Sequence, residues 1–241
     1  MNKEIIINYT KREVRIAILE DRQLVEFLIE REDSRRSVGD IFIGTVNAVL
    51  PGIQAAFVDI GREKAAFLHV SDVATDSLDP EILDELDIDT GGGRRRREYP
   101  PIESLLRKGQ TIIVQVRKEA IGTKGPRVSS QLSLPGRYAV FMPNLDHVGV
   151  SKKIDRRKER SRLRSIVRRI KPSGGAVIVR TAGEGVEEEP LREDIRNLEK
   201  RWTEISRKIE KATPPSIVHE DVDITVFAPV SYTHLRAHET K

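Results

Sequence analysis

LPGIQAAFVDIGREKAAFLHV, residues 50–70, is the stretch on which the fold turns. Pro51-Gly52 makes a turn and residues 54–60 form an apolar strand. Gly61 ends that strand, and residues 64–70 supply the next. Two short strands joined this closely pair antiparallel. Working outward, residues 41–50 read as a strand before the pair, and residues 111–116 and 128–132 as strands after it. Roughly five strands result, the count of an OB-type barrel.

Each strand of the central pair carries an aromatic, Phe57 and Phe67. On one outward face they form a stacking platform for unpaired bases, where each stacked base is worth ~1–3 kcal/mol. Turned inward they are core residues, and both readings stand here. Lys118 and Lys124 follow the next strand, with Arg117 and Arg127 nearby. Gly122 and Gly125 let that loop approach a backbone closely. Cations beside aromatics on a small barrel suit single-stranded nucleic acid; a solvated hairpin tip is the alternative.

Other segments flank the barrel. Residues 5–9, 14–19 and 24–29 read as three short strands in an antiparallel meander. Residues 74–103 hold an acidic run from Asp76 to Asp89, three glycines and the tetrad Arg94–Arg97. This is a charged surface loop with a disordered composition, whose arginines either meet nucleic acid or neutralise the acidic run. Beyond Pro135-Gly136, residues 138–142 and 176–180 read as strands. Residues 155–170 form a basic helix, and residues 191–211 a long one. Leu191, Ile195, Leu198, Trp202, Ile205 and Ile209 make one apolar seam on the second helix, with Trp202 in core packing. Pro214-Pro215 stops it, and residues 217–226 return to a strand pattern.

Composition narrows the classes of function. With 42 Lys and Arg against 38 Asp and Glu, the net charge is only +4, so the placement of charge matters more than its sum. The absence of cysteine excludes a disulfide scaffold, a zinc ribbon and a thiol nucleophile within these 241 residues. No apolar run is long enough for a membrane span, and the start lacks a secretory pattern, so a cytoplasmic protein is expected.

Four ordered stretches carry a resemblance: residues 50–72, GTKGPRVSSQLSLPGRYAVFMPN (122–144), HVGVSKKI (147–154) and VIVRTAGEGV (177–186). Together they resemble the N-terminal half of the ribonuclease E/G family over about residues 3–226. The resemblance implies an α+β chain in which an incomplete RNase-H-like subdomain is interrupted by an S1-type OB barrel and a 5′-sensor subdomain. The first RNase-H-like part spans residues 1–36, the barrel 37–132 and the sensor 133–213. The returning RNase-H-like strand spans 214–226. Phe57, Phe67, Lys118 and Lys124 match the family's RNA-binding positions. Gly136, Val140, Arg180 and Thr181 match its 5′-phosphate socket. The chemistry fits: a guanidinium fork gives a phosphate bidentate donors and a hydroxyl adds another. Without the resemblance, Arg180 reads equally as solvated or paired with Glu187–Glu189.

The family implies RNA with a 5′ monophosphate as partner, magnesium for cleavage of single strands, and zinc for linking subunits of a homo-oligomer. Residues 227–241, FAPVSYTHLRAHETK, match nothing in the family and read as a foreign tail. His234 and His238 stand four apart there, without a third ligand to make a metal site. The catalytic aspartates and zinc cysteines are therefore expected outside this chain, leaving no catalytic or metal residue in it and no cleavage by it alone. A non-catalytic single-stranded RNA-binding module is the first alternative, and a protein-interaction adaptor using the 191–209 seam the second.

Overall fold

The computed structural model describes residues 3–10, 13–31, 37–73, 99–143 and 145–221. The chain divides into two units, residues 1–37 with 221–241 and residues 38–220. The arginine tetrad, most of the charged loop, the end of the last expected strand, and the tail with its two histidines lie outside the described residues.

In the first unit, β1 (Lys3–Tyr9), β2 (Glu13–Glu20) and β3 (Gln23–Arg31) form the expected antiparallel meander. Asp21 and Arg22 both take positive φ, 48° and 67°, in the two-residue turn that closes Glu20 on Gln23. Such a turn matches the twist of the strands it joins. Ile5, Ile16 and Ile18 are buried on one face, while Ile6, Phe27 and Ile29 are exposed on the other.

The second unit begins with the barrel. Its strands are β4 (Ile41–Leu50), β5 (Ala55–Asp59), β6 (Ala66–His69), β7 (Thr111–Lys118) and β8 (Arg127–Ser129). They follow the order β4-β5-β6-β8-β7, and β7 returns to β4 from Ile41↔Gln115 to Thr45↔Thr111. Closure leaves these strands no bare edge. The length of β4 permits it, since its first half pairs with β7 and its second with β5. At the handover a Cβ on Gly44 would stand 2.5 Å from the Asp59 carbonyl oxygen, so only glycine lets the two backbones approach.

Phe42, Val46, Val58, Leu68, Val114, Val116 and Val128 fill the barrel. The fifth strand starts at Ala55 rather than Gln54, because Gln54 turns the chain at φ 49°. The strand read over 128–132 is confined to β8 at residues 127–129. A helical turn, α1 (Ile102–Leu105), begins inside the stretch read as loop. Ile102 and Leu106, one turn apart, are buried in the barrel core, and the Ile102 N–H donates to Gln54 Oε1 at 3.0 Å. Apolar burial thus orders the loop's end, where charge dominates the rest.

The chain continues into β9 (Leu134–Pro135), β10 (Ala139–Pro143), β11 (Val148–Val150) and β12 (Gly175–Val179), in the order β11-β12-β10-β9. Two helices, α2 (Arg157–Ile170) and α3 (Glu188–Lys211), bury their apolar stripes against Ala139, Phe141, Val177 and Val179. That core also takes in Ile41, Ile43 and Leu132 of the barrel end. Leu191, Ile195, Leu198 and Ile205 are buried in it, and Trp202 and Ile209 pack against it. The α3 seam is therefore occupied by the chain's own core, which removes the face an adaptor would need. Val140, Met142, Leu145, Ala176 and Ile178 form a smaller cluster. Finally, β13 (Ser216–His219) pairs with the start of β4. The architecture is mixed α+β around an OB-like barrel. Among the described residues, no helix is long and apolar enough to cross a membrane.

Candidate nucleic-acid interface

Phe57 and Phe67 stand directly opposite each other on β5 and β6, with ring centroids 6.0 Å apart and planes at 66°. Their sequence neighbours Val58 and Leu68 are fully buried inside the barrel. Strand alternation then turns both phenylalanines outward, where they are half-buried and outside the core cluster. The register carries the row onward: Phe67 lies opposite Arg127, and Arg127 opposite Lys118. One outward row thus runs Phe57, Phe67, Arg127, Lys118 across four strands.

Arg127 is anchored in that row. Its Nε and Nη2 each lie 2.9 Å from Oδ2 of the buried Asp72. Lys118 is exposed, and so is Lys124 on the hairpin joining β7 to β8. Ile121 and Lys124 bridge that hairpin, with Gly122 at φ 56°. A Cβ on Gly125 would come within 2.0 Å of the Ala65 carbonyl oxygen. The backbone that Gly125 lets the loop approach is therefore the entry to β6, whereas Gly122 has no neighbour within 4 Å and serves the turn through its positive φ. The Lys64 ammonium ties the same place by donating to the Gly122 carbonyl.

The second group of expected residues meets at the end of β12. Arg180 Nη1 donates to the Gly136 carbonyl at 2.6 Å, although the two lie 44 residues apart. The Arg180 N–H donates to the Tyr138 carbonyl at 2.8 Å, fixing the backbone too. Thr181 opens a 3-10 turn (Thr181–Gly183) and is exposed. Its Oγ1 lies 3.5 Å from Ser151 Oγ. Val140 is buried and stands opposite Ile178; Arg180, two residues on from Ile178, falls on the same side of the strand. The acidic run engages other cations: Glu188 pairs with Arg169 and Arg192, and Glu189 with Arg192.

Asp194 was not singled out by sequence reading, yet it shapes this site. Its Oδ1 accepts from the Arg137 N–H at 3.0 Å, and its Oδ2 from those of Tyr138 and Ala139 at 2.8 and 3.0 Å. One carboxylate from α3 thus holds the loop whose Gly136 carbonyl receives Arg180. Nothing in the mixed-charge pattern of α3 distinguishes Asp194 from its acidic neighbours. A second clamp holds the segment after Thr181. Glu159 Oε1 accepts from the Gly185 N–H at 2.9 Å, and Arg162 donates to the Val186 carbonyl at 2.8 Å. The two side chains also bond each other, and the Arg162 guanidinium pulls the Glu159 carboxyl down to about 2.

Residues 133–235 match the model of the Ribonuclease E/G family, a span that runs past Val226, where the sequence reading ends the resemblance. Ribonuclease G of Haemophilus influenzae is 42% identical over 216 residues, covering 90% of this chain and 42% of that protein. Ribonuclease G of Salmonella typhimurium is 43% identical over 208 residues, covering 86% of this chain and 41% of that protein. Ribonuclease E of Synechocystis is 38% identical over 224 residues, covering 92% of this chain and 30% of that protein. The chain spans about two fifths of the length of the ribonuclease G relatives it matches. With its family-model match and this identity along nine tenths of its length, the chain belongs to the ribonuclease E/G family.

Proposed function

We propose that this chain is the RNA-binding and 5′-monophosphate-sensing part of a magnesium-dependent, single-strand endoribonuclease of the ribonuclease E/G type, acting in RNA processing and decay. The observation that carries the reading is the outward row Phe57, Phe67, Arg127, Lys118. Aromatic faces next to cations recognise unpaired bases and the backbone that links them. In this reading residues 37–132 are an S1-type barrel and residues 133–213 a 5′-sensor subdomain. Residues 1–36 and 214–226 are parts of an RNase-H-like unit.

The sensor reading rests on Arg180 and Thr181. Arg180 spends one nitrogen on the Gly136 carbonyl, which orients the guanidinium and leaves its other donors for a terminal phosphate. Thr181 adds an exposed hydroxyl one residue on. Magnesium and zinc would act elsewhere. Among the described residues no three His, Cys, Asp or Glu side chains converge into a zinc-type ligand cluster. Metal-dependent cleavage and subunit linkage rest on the family reading alone.

The test is fluorescence anisotropy on one oligonucleotide carrying either a 5′ monophosphate or a 5′ hydroxyl. The phosphorylated RNA is expected to bind about ten- to a hundredfold tighter, from a charged hydrogen-bonded pair of roughly 1.5–3 kcal/mol. Arg180→Ala removes that difference and leaves the 5′-hydroxyl RNA nearly unchanged. Equal affinity for both ends in the unaltered protein overturns the sensor reading.

A further inference from the structure

Neither the barrel row nor the phosphate socket makes use of the basic helix α2. Seven of its 14 residues are Lys or Arg, against one acid, Glu159. The longer α3 carries seven residues of each sign, so its charges offset one another along the surface. The α2 cations divide into two sets. Arg160 donates to the Ile154 and Asp155 carbonyls, Arg162 holds Glu159 and the Val186 carbonyl, and Arg169 pairs with Glu188. Arg157, Lys158, Arg164 and Arg168 have no such partner among the described residues.

The second set shares one face. Arg157, Ser161, Arg164 and Arg168 follow one another at four, three and four residues, which sets them in a line along the helix. Leu163, Ile166 and Val167 are buried on the opposite face. Arg157, Ser161 and Arg168 are exposed, and Arg164 is half-buried. The line is about 16 Å long at roughly 1.5 Å per residue. Its foot adjoins the end of β12. Ser151 Oγ, just ahead of α2, lies 3.5 Å from Thr181 Oγ1, and Glu159 in the first turn accepts from the Gly185 N–H.

We propose that the line Arg157, Arg164, Arg168 on α2 binds the sugar-phosphate backbone of a base-paired RNA segment. This rests on the reading of the chain as an RNA-binding protein, but on neither the platform nor the socket. Guanidinium groups without acidic partners take phosphate oxygens, and a row of them follows a backbone. No aromatic residue stands on α2, so it lacks the stacking surface that unpaired bases need. A duplex turns its bases inward and presents phosphates and 2′-hydroxyls instead. The Ser161 hydroxyl, between the first two arginines, suits either group. A lipid surface fits less well. A helix lying in a membrane inserts an apolar face, and that of α2 is already buried in the core.

The test is fluorescence anisotropy with the 241-residue chain and a blunt RNA duplex of about 16 base pairs. Its 5′ ends are hydroxyls, so it offers neither a terminal phosphate nor an unpaired base. Arg157→Gln, Arg164→Gln and Arg168→Gln together keep good helix formers at each position. This α2 variant should bind the duplex at least about tenfold more weakly at low salt. The slope of log affinity against log salt should flatten by about 2 to 3, near 0.9 for each phosphate on a double helix. Arg196→Gln, Lys200→Gln and Arg207→Gln together remove equal charge from the exposed surface of α3. That variant should change duplex affinity by less than about twofold, since salt screens distant charges. Circular dichroism confirms folding. Should the α2 variant not fold, Arg168→Gln alone is expected to flatten the slope by about 0.9, and an unchanged slope overturns the proposal. It is also overturned if the unaltered chain does not bind the duplex, or if the α2 and α3 variants lose affinity equally. A third contrary result is binding to vesicles of phosphatidylcholine and phosphatidylserine that the α2 variant loses while its duplex binding persists. The two readings fail separately. Equal affinity for the two 5′ ends of a single strand removes the sensor and leaves the duplex result intact. Equal duplex binding by the unaltered chain and the α2 variant removes only the role of α2.

Discussion

Asp194 closes over Gly136 so tightly that a Cβ there would stand 2.8 Å from each of its carboxylate oxygens. The same carboxylate takes the next three backbone N–H groups. Three donors and the close contact make this the point at which α3 sets the loop that faces Arg180. Asp194→Ala should cost roughly 2–4 kcal/mol in stability, because partly buried N–H groups lose a charged acceptor. Asp194→Asn keeps one acceptor oxygen and should cost less. Urea unfolding of both variants measures this, and near-wild-type stability in Asp194→Ala would count against the clamp.

Gly136→Ala tests the other partner. The added methyl displaces either the carboxylate or Leu198, whose Cδ1 is 2.9 Å from the same position. The expected outcome is a loss of 1–3 kcal/mol, the usual cost of overpacking. Preference for a 5′-monophosphate end should fall with it, as the Gly136 carbonyl moves away from Arg180. Anisotropy with the two end groups reads the second effect independently of the first.

Phe67 and Leu68 are adjacent in sequence and face opposite ways, which separates binding from folding. Phe67→Ala should weaken RNA binding by roughly 1–3 kcal/mol while lowering stability by less than about 1 kcal/mol, since the ring is outside the core. Leu68→Ala should lower stability by roughly 2–5 kcal/mol, because that side chain is fully buried. If Phe67→Ala unfolds the chain as readily as Leu68→Ala, the outward reading of the platform is wrong.

Lys118 and Lys124 are exposed cations and should act through salt rather than through base identity. Each Lys→Ala change is expected to flatten the slope of log affinity against log salt by about 0.7, the value for a single strand. Affinity for different homopolymers should fall in parallel. A titration from low to physiological salt on both variants is sufficient, and an unchanged slope would remove the residue from the RNA path.

Glu159 makes stability depend on pH with a definite sign. Hydrogen bonds from Arg162 hold its carboxyl at about 2 in the folded chain, against an ordinary value of 4.5. Between those values the unfolded chain binds the extra proton, so stability is fully present above about pH 5 and drains away as pH falls toward 2. Arg162 is more than a third exposed, and solvent screening reduces the effect to on the order of 1–2 kcal/mol. Glu159→Gln should remove this part of the acid dependence. Asp146 and Glu188 are also held low, by Lys171 and Arg169, but they contribute equally to both proteins and cancel in the comparison. Parallel slopes between pH 5 and 2.5 would show that the clamp contributes nothing.

The amino-acid sequence by itself determined the local order of this protein. Alternation set the strands, the four- and three-residue spacing on α3 set its buried stripe, and the Pro and Gly pairs set the breaks between elements. It also marked Phe57, Phe67 and Arg180 through their motif contexts. Tertiary structure alone decided what those residues face. Phe57 and Phe67 are apolar, and an apolar residue on a short strand fits either side of a barrel until pairing fixes which side closes inward. Asp194 and Asp72 acquire their roles from partners up to 57 residues away. A carboxylate's value as an acceptor depends on donors brought to it from elsewhere in the chain, and no spacing along the sequence encodes that meeting.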